Sequence, residues 1–263
     1  MIATVAAAVA PWQHGVVFAA AIAAGFVNAI AGGGSLLTFP TLVWVGVAPV
    51  AASATNTVGL WAGNLGGVFG FRRHLPERSL IMLFAVPSLA GGILGAVLLL
   101  RTPQHVFEGL APVLVFLATV LLAVQEPLSR RISGGGLPGG GRPGFAVAAV
   151  AFQFLVGVYG GFFGAGIGIM MLAALAILGL TDIHQMNGLK NVLTTAINGV
   201  AAVYFAARGA VLWTDAGLMA IGSIGGGLAA AALAQRLGRR LVRQAVIAIG
   251  IAASVSLLVK FLG

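Results

Sequence analysis

Apolar residues recur along the whole chain in long runs, which short polar or glycine-rich stretches separate. Eight of these runs are close to the roughly 20 residues that a helix needs to cross the hydrocarbon core of a bilayer. They lie at about 15–31, 52–70, 79–100, 105–124, 145–163, 185–206, 212–234 and 241–262. The pattern predicts an all-α, polytopic membrane protein. The leading stretch MIATVAAAVAPWQHG lacks a basic segment, so we interpret it as a frayed or interfacial lead-in rather than a signal peptide.

Composition agrees with this class of protein. Of the 263 residues, 60% are apolar and only 7% are charged, which is not typical of a soluble domain of this size. The chain contains no cysteine, so a disulfide framework, a thiolate metal site and a cysteine nucleophile are excluded.

Two further apolar runs are too short to cross a membrane straight, because a helix rises only about 1.5 Å per residue. They lie at 36–47 and 167–180, and each follows a glycine-rich break in the apolar sequence. The first break reads GGGS at 32–35 and the second reads GAGI at 164–167. The breaks are therefore placed at matching points of the chain.

The second half of the chain repeats the first at an offset of 132 to 135 residues, which brings the two breaks into register. The alignment is closest where PSLAGGILGA at 87–96 meets GSIGGGLAAA at 222–231. Glycine-rich helices resemble one another by chance, but several polar markers are in register as well. We therefore predict an internal duplication.

The connection between the two copies, RRISGGGLPGGGRPG at 130–144, is rich in glycine and proline and is typical of a flexible tether. We predict a first membrane repeat at 1–128, a linker at 129–144 and a second membrane repeat at 145–263. The two repeats form one integrated transmembrane domain.

Basic residues indicate which side of the membrane each connection faces, because cytoplasmic connections carry an excess of lysine and arginine. If each half crosses with five segments, the short run included, eleven basic residues share one side and three lie on the other. If the short runs are instead hairpins that return to their own side, the basic residues divide about evenly. The uneven count favours two inverted repeats of about five helical segments each, with short glycine-broken helices at the centre and both termini outside the cytoplasm. The three outer basic residues are Arg101, Arg208 and Lys260.

A break in a membrane helix exposes backbone amides that lipid cannot satisfy, so it must be buried in protein or line a wet cavity. In transporters with inverted repeats, broken helical segments at matching positions of the two halves indicate the central binding site. A helix N-terminus at such a site favours an anion. Polar residues flank both breaks. We predict a substrate-binding site made of Gly32, Gly33, Gly34, Ser35, Thr38, Thr55, Asn56, Gly164, Gly166, Lys190, Asn191 and Thr194.

Two alternatives stay open at this point. The glycines can serve only to let helices pack closely, although packing does not require Ser35 and Thr38 beside the break. Lys190 can be a lysine near a helix end that extends to the interface, or a cation that faces the cavity. Isolated asparagines such as Asn64 and Asn198 are also common as contacts between helices.

The five carboxylates and four histidines fall in or near expected loops or helix ends, so the sequence offers no proton relay or sodium site at the membrane centre. No metalloprotease, nucleophile-elbow or nucleotide-loop motif is present, and we predict neither an enzyme nor a cofactor nor a metal. The net charge of +9 is explained by topology, and no interleaving of aromatic and basic residues indicates nucleic-acid binding.

Four segments in order resemble the sulfite exporter TauE/SafE family of bacterial membrane permeases. They are AGGGSLLTFPTL and ASATNTVGLWAGNLGGVFGFRRHL in the first half, and GFFGAGIGIMML and MNGLKNVLTTAINGVAAVYFAARGAVLW in the second. The resemblance covers nearly the whole chain and implies duplicated halves that move sulfur-containing anions. The second half departs from a glycine triplet with GAGIG, from which we expect an asymmetric site.

The resemblance implies a multi-pass secondary transporter in the bacterial inner membrane, with a small sulfur-containing anion and the lipid bilayer as its partners. Sulfite, thiosulfate and organosulfonates are the expected substrates, and export is the expected direction. The alternatives are an anion channel and an importer of an organosulfur anion. The sequence sets neither the particular anion, nor a coupling ion, nor an oligomeric state.

Overall fold

A computed structural model of the chain describes residues 11–30, 33–71, 75–133, 143–177, 180, 182–233 and 239–262. These residues form ten α-helices and contain no β-strand. The helices are α1 (Pro11–Ile30), α2 (Ser35–Trp44), α3 (Pro49–Phe71), α4 (Arg78–Arg101), α5 (Gln104–Ser133), α6 (Pro143–Phe162), α7 (Ile167–Ile177), α8 (Ile183–Ala207), α9 (Trp213–Leu233) and α10 (Arg239–Leu262). The fold class is all-α and polytopic, as the apolar pattern predicts.

Within the described part of the chain, four helices are long and apolar enough to cross a membrane. They are Pro11–Ile30, Arg78–Arg101, Gln104–Val124 and Arg240–Leu262. Large apolar side chains on their outer faces are exposed, for example Val86 and Val113, as a lipid solvent allows. By contrast, the ten residues of α2 span only about 15 Å, half of a bilayer core.

The helix boundaries follow the apolar runs closely except at the connection between the halves. α5 continues to Ser133 rather than ending near 124, and α6 begins at Pro143, so both ends of the predicted linker are helical. Five of the nine residues at 125–133 are glutamine, glutamate, leucine or arginine, which favour a helix whether or not lipid surrounds it, although the segment also contains Pro127 and two serines. The glycine-rich residues 134–142 lie outside the described part of the chain.

Equivalent helices of the two halves have nearly the same packing partners. The equivalent helices are α1 and α6, α2 and α7, α3 and α8, α4 and α9, and α5 and α10. α1 packs along α9 as α6 packs along α4, and α3 packs against α9 as α8 packs against α4. α3 also packs against α8, and α5 packs against α10, so in these two pairs each helix contacts its own equivalent in the other half. A duplicated chain is expected to show this recurrence. The inversion of the halves across the membrane stays a prediction.

Glycines bring the backbones of the α1–α9 pair and the α4–α6 pair into direct contact. Gly226 of α9 faces the backbone of Ile22 in α1, and Gly95 of α4 faces the backbone of Val158 in α6. A Cβ atom at either glycine would overlap the backbone of the opposite helix. Small residues at helix interfaces are how membrane helices approach closely, because lipid provides no hydrophobic force between them.

One end of the bundle carries exposed tryptophans and is called the tryptophan end below. Trp12 lies in the first turn of α1, Trp44 ends α2 and Trp213 begins α9, and all three are exposed. His14 and Asp215 join the starts of α1 and α9 through a 2.7 Å contact between Nδ1 and Oδ1. Tryptophan is enriched at membrane–water interfaces, which places this end at the surface of the bilayer.

Arg101, Arg208 and Lys260 also lie at the tryptophan end. Arg208 directly follows the end of α8 in the connection to α9, and Lys260 donates a 3.1 Å hydrogen bond from Nζ to the carbonyl oxygen of Val43 at the end of α2. Arg101 ends α4 just before α5, whose Gly109 faces Phe261 of α10. The three outer basic residues of the five-segment count therefore share one end. Which end faces the cytoplasm stays a prediction.

Candidate functional site

Each half contains a break at which one helix stops and a short helix begins. Gly33 in the first break has φ +89°, and Gly164 and Gly166 in the second break each have φ +76°. This left-handed region favours glycine, because a Cβ atom would collide with the backbone there. Ala165 lies between the two glycines without a positive φ. The sequence GAG therefore gives the second break its turn without a glycine triplet.

Both breaks contact the same part of α5. A Cβ atom on Gly33 would lie 3.1 Å from Cδ2 of Leu122, and one on Gly166 would lie 3.3 Å from Cδ1 of Leu121. Because two consecutive residues of one helix touch both breaks, the breaks are close together in space. Between them lies a cavity of about 180 Å³, which is large enough for a small anion of several heavy atoms.

The cavity wall combines polar groups from four helices and both breaks with apolar side chains. Its polar side chains are Asn28, Ser35, Asn56, Thr57, Lys190, Asn191, Thr194 and Asn198. Its apolar side chains include Leu60, Leu122, Phe163, Ile167 and Ile169. Among the residues that the structure describes, the lining contains a lysine but no carboxylate or histidine.

Asparagine side chains organise the first break. The Gly34 N–H donates to Oδ1 of Asn28 over 2.7 Å, so a side chain of α1 closes the start of α2. Thr38 donates from its hydroxyl to Oδ1 of Asn56 over 2.5 Å. This bond orients the amide of Asn56, whose NH₂ group is the donor that a ligand can use.

A tyrosine organises the second break. Tyr159 donates from its hydroxyl to the carbonyl oxygen of Ala165 over 2.6 Å. The backbone carbonyl of Tyr159 in turn accepts from the N–H groups of Phe163 and Gly164. Asn198 of α8 lies beside this break, since its Oδ1 would be 3.7 Å from a Cβ atom on Gly164.

Lys190 reaches the cavity from α8, next to the start of α7. A Cβ atom on Gly168, in the first turn of α7, would lie 3.3 Å from Cδ of Lys190. The Lys190 ammonium donates to Oδ1 of Asn187, one turn earlier on α8, over 2.9 Å. Of the two positions that the sequence leaves open for Lys190, the structure has the one at the cavity.

The structure gathers most of the predicted site residues around one cavity. Eight of the twelve line it, namely Gly33, Ser35, Asn56, Gly164, Gly166, Lys190, Asn191 and Thr194. Gly34 and Thr38 lie one layer behind the lining, where they bond to Asn28 and Asn56. Gly32 lies outside the described residues. Substrate binding by these residues stays a prediction.

Thr55 is placed elsewhere and corrects the expected set. Its side chain is fully buried, and its hydroxyl oxygen accepts a 3.0 Å hydrogen bond from the N–H of Leu212, just before α9. The reason is helical geometry: Thr55 and Asn56 are adjacent in sequence and therefore about 100° apart around α3. Asn56 points into the cavity, whereas Thr55 points toward α9.

Sequence reasoning also left Asn28, Thr57 and Asn198 out of the site. Asn198 follows Asn191 and Thr194 at the spacing i, i+3, i+7, which places all three on one helix face, and this spacing is the signal that indicates it. Asn28 has no periodic signal, because its role depends on a contact with Gly34 across the break.

The cavity is suited to a small anion. Side-chain amides, hydroxyls, the helix starts of α2 and α7 and one ammonium surround it, and none of its described lining residues is negative. Among the described residues, no cluster of three histidine, cysteine, aspartate or glutamate side chains could hold a metal. An all-α membrane protein with a polar cavity between two broken helices belongs to the class of helical membrane transporters.

Comparison with known proteins agrees with this class. The family described as "Sulfite exporter TauE/SafE" matches residues 17–257, and the chain belongs to this family. It is similar to the probable membrane transporter protein YfcA of Escherichia coli (strain K12), with 29% identity over 256 residues, 95% of this chain and 91% of that protein.

A probable membrane transporter protein of Haemophilus influenzae is 28% identical over 240 residues, 88% of this chain and 89% of that protein. The probable membrane transporter protein ORF9 of a Sinorhizobium species is 28% identical over 243 residues, 92% of this chain and 90% of that protein. No solved structure matches the chain. The family and the names of these relatives indicate a membrane transporter.

Proposed function

We propose that the protein is a multi-pass secondary transporter that exports small sulfur-containing anions, such as sulfite, thiosulfate or organosulfonates, across the bacterial inner membrane. One observation carries the proposal: a single cavity is lined by Lys190 and by the starts of α2 and α7. The sulfur oxyanion as substrate is supported by the description of the family as sulfite exporters.

The cavity lowers the cost of taking an anion out of water. Oxygen atoms of a sulfite or sulfonate group accept hydrogen bonds, and the cavity supplies donors from asparagine NH₂ groups, hydroxyls and an ammonium. The positive ends of two helix dipoles add to this stabilisation. A cation would find no carboxylate among the described lining residues to replace its hydration shell.

Alternating access requires parts that move as units. The glycine contacts make α1–α9 and α4–α6 two closely packed pairs, each combining a helix that leads into a break with a helix of the other half. Rocking of these pairs would open the cavity to one side of the membrane and then to the other.

Voltage alone can drive export. An anion that leaves an inside-negative cell gains about 2.3 kcal/mol per unit charge and 100 mV, which is roughly fifty-fold in concentration. None of the described lining residues is an aspartate or glutamate, so we assign no coupling ion. Proteoliposomes test this step if the voltage is set with potassium and valinomycin and the pH gradient is varied independently. Flux that follows the pH gradient and ignores voltage would contradict it.

Binding to the purified full chain tests the proposal. A thermal-shift screen against sulfite, thiosulfate, sulfate, sulfoacetate and taurine identifies the anion, and labelled flux into proteoliposomes then shows transport. Saturable, slow flux is expected from a carrier. Rates above about 10,000 ions per second or single-channel currents would show a channel instead, and no shift with any of these anions would contradict the proposed substrate class.

Lys190→Ala should weaken binding of the identified anion about 10- to 100-fold, the loss of one charge-assisted hydrogen bond in a partly desolvated site. Lys190→Arg should restore only part of it, because a planar fork replaces a compact ammonium. Lys260→Ala is the matched control, since it removes a lysine at the far end of α2. Isothermal titration measures all three. Unchanged affinity in Lys190→Ala would place this lysine outside the binding function.

A further inference from the structure

A side chain forms a hydrogen bond to the backbone at each break, but the donor and acceptor roles are opposite at the two breaks. In the first, a side-chain acceptor covers a backbone donor, since Oδ1 of Asn28 accepts from the Gly34 N–H. In the second, a side-chain donor covers a backbone acceptor, since the Tyr159 hydroxyl bonds to the Ala165 carbonyl oxygen. The duplicated breaks are therefore chemically unequal.

The inequality changes the electrostatic potential at the two ends of the cavity. At the first break, the carbonyl dipole of Asn28 brings negative charge to the start of α2 and occupies one of its donors. The N–H groups of Leu36 and Leu37 are also bonded, to the carbonyl oxygens of Gly33 and Gly34, but the second break has the same kind of bonds, from Ile167 to Gly164 and from Ile169 to Gly166. The difference between the two helix starts is therefore the side chain of Asn28. The start of α2 therefore has less to offer an anion than its dipole suggests.

At the second break, the changes have the opposite sign. The Tyr159 hydroxyl donates to the Ala165 carbonyl oxygen. This bond makes the electrostatic potential near that oxygen less negative. The Cδ and Cε atoms of Lys190 lie against Gly168 at the start of α7, and its ammonium bonds to Asn187 of α8. The cation in the described lining therefore belongs to the side of the cavity formed by α7 and α8, where it is attractive to an anion. The more positive end of the cavity is therefore the end in the second half.

We propose that the charged group of the substrate binds at the second break, beside Gly166, Gly168 and Lys190, and not midway between the breaks. The other end of the substrate then lies toward Asn28 and Asn56, where an uncharged hydrogen-bonding group fits. The favoured ligand is a small anion with its charge at one end and an uncharged polar group at the other. This inference rests on the proposed function.

A matched pair of substitutions tests the position of the charge. Asn28→Asp and Asn198→Asp introduce the same charge with almost no change in shape, one beside each break. Repulsion between like charges weakens with distance. We expect Asn198→Asp to reduce the affinity at least about a hundredfold and Asn28→Asp less than about tenfold. Titration calorimetry with thiosulfate and with isethionate, on purified full chains at pH 7.5, measures both.

The wild-type protein provides a second test that does not depend on the variants folding. Isethionate and sulfoacetate share a sulfonate, but their far ends are a hydroxyl and a carboxylate. We expect isethionate to bind about tenfold more tightly, because the first break offers no cation for a second charge. Sulfoacetate binding at least as tightly would contradict the proposed orientation.

The outcomes separate this inference from the proposed function. Equal losses in the two aspartate variants, or a larger loss in Asn28→Asp, would overturn the polarised site while leaving an anion transporter in place. Anion binding that neither aspartate changes would overturn both, because the anion would then bind outside this cavity. Circular dichroism and gel filtration of each variant confirm that a loss of affinity is not a loss of fold.

Discussion

Two neighbouring glycines of α9 give a prediction that isolates close helix packing from every other effect of a substitution. A Cβ atom on Gly226 would lie 2.8 Å from the carbonyl carbon of Ile22 and 2.9 Å from the nitrogen of Phe26, both in α1. A Cβ atom on Gly225 would have no neighbour within 4 Å. Gly226→Ala therefore forces α1 and α9 apart, and Gly225→Ala does not.

The magnitude follows from this geometry. An ordinary contact between two carbon atoms is about 3.5–4.0 Å, and the carbonyl oxygen of Ile22 is closer to the Cβ position than its carbon is, so the helices must separate locally by at least about 1 Å. A gap of that size forfeits about a quarter to a half of the dispersion energy of the contacts around it, and overpacking typically costs about 1–3 kcal/mol. Both variants gain about 0.5–1 kcal/mol of helix propensity from alanine, and this gain cancels in the comparison.

We expect Gly226→Ala to be less stable than Gly225→Ala by about 2–3 kcal/mol, with Gly225→Ala at least as stable as the wild type. The assay is equilibrium unfolding of the full chain in mixed micelles at increasing mole fractions of SDS, followed by tryptophan fluorescence and circular dichroism. Free energies of unfolding within about 0.5 kcal/mol of each other would refute close packing of α1 on α9.

Three further substitutions test contacts that the sequence does not reveal. Lys260→Gln should lower the free energy of unfolding by about 1 kcal/mol and Lys260→Arg by less, because the positive charge bonds to a carbonyl oxygen at the C-terminal end of α2. The same SDS titration measures both variants, and equal losses would show that the charge does not contribute. A double-mutant cycle of His14→Ala and Asp215→Ala should give a coupling energy of about 1 kcal/mol, since Asp215 is buried and His14 is partly exposed; additive losses would mean that the pair contributes nothing. Thr55→Val should lower the free energy of unfolding by about 1–2 kcal/mol and leave the anion affinity unchanged, because Thr55 bonds to Leu212 outside the cavity. Thr194→Val should weaken anion binding, because Thr194 lines the cavity. A lower anion affinity in Thr55→Val would show that Thr55 belongs to the binding site.

The positions and lengths of the helices could be read from the sequence. Apolar runs of about 20 residues define membrane helices because lipid leaves the backbone no partner outside its own helix. For the same reason, the two glycine breaks could be found as interruptions that must be buried in protein. The end of α5 could not be found this way, because residues 125–133 form a helix without being apolar.

The composition of the site was only partly accessible to sequence reasoning. Glycine at 33, 164 and 166 follows from local backbone geometry, which the sequence encodes directly. The separation of Asn56 from Thr55 depends on how α3 is rotated toward its neighbours, and rotation is set by packing against α8 and α9. No local pattern contains that information.

The sequence by itself determined an all-α membrane protein with two glycine breaks and a cluster of polar residues around them, because these properties depend on the hydropathy and backbone freedom of consecutive residues. Only the tertiary structure decided that both breaks lie against Leu121 and Leu122 of α5, that Lys190 lies beside the start of α7, and that Asn28 closes the start of α2. These contacts join residues far apart in the chain or on opposite sides of a break. The packing of the helices therefore determines which hydrogen-bond donors an anion can reach in the cavity.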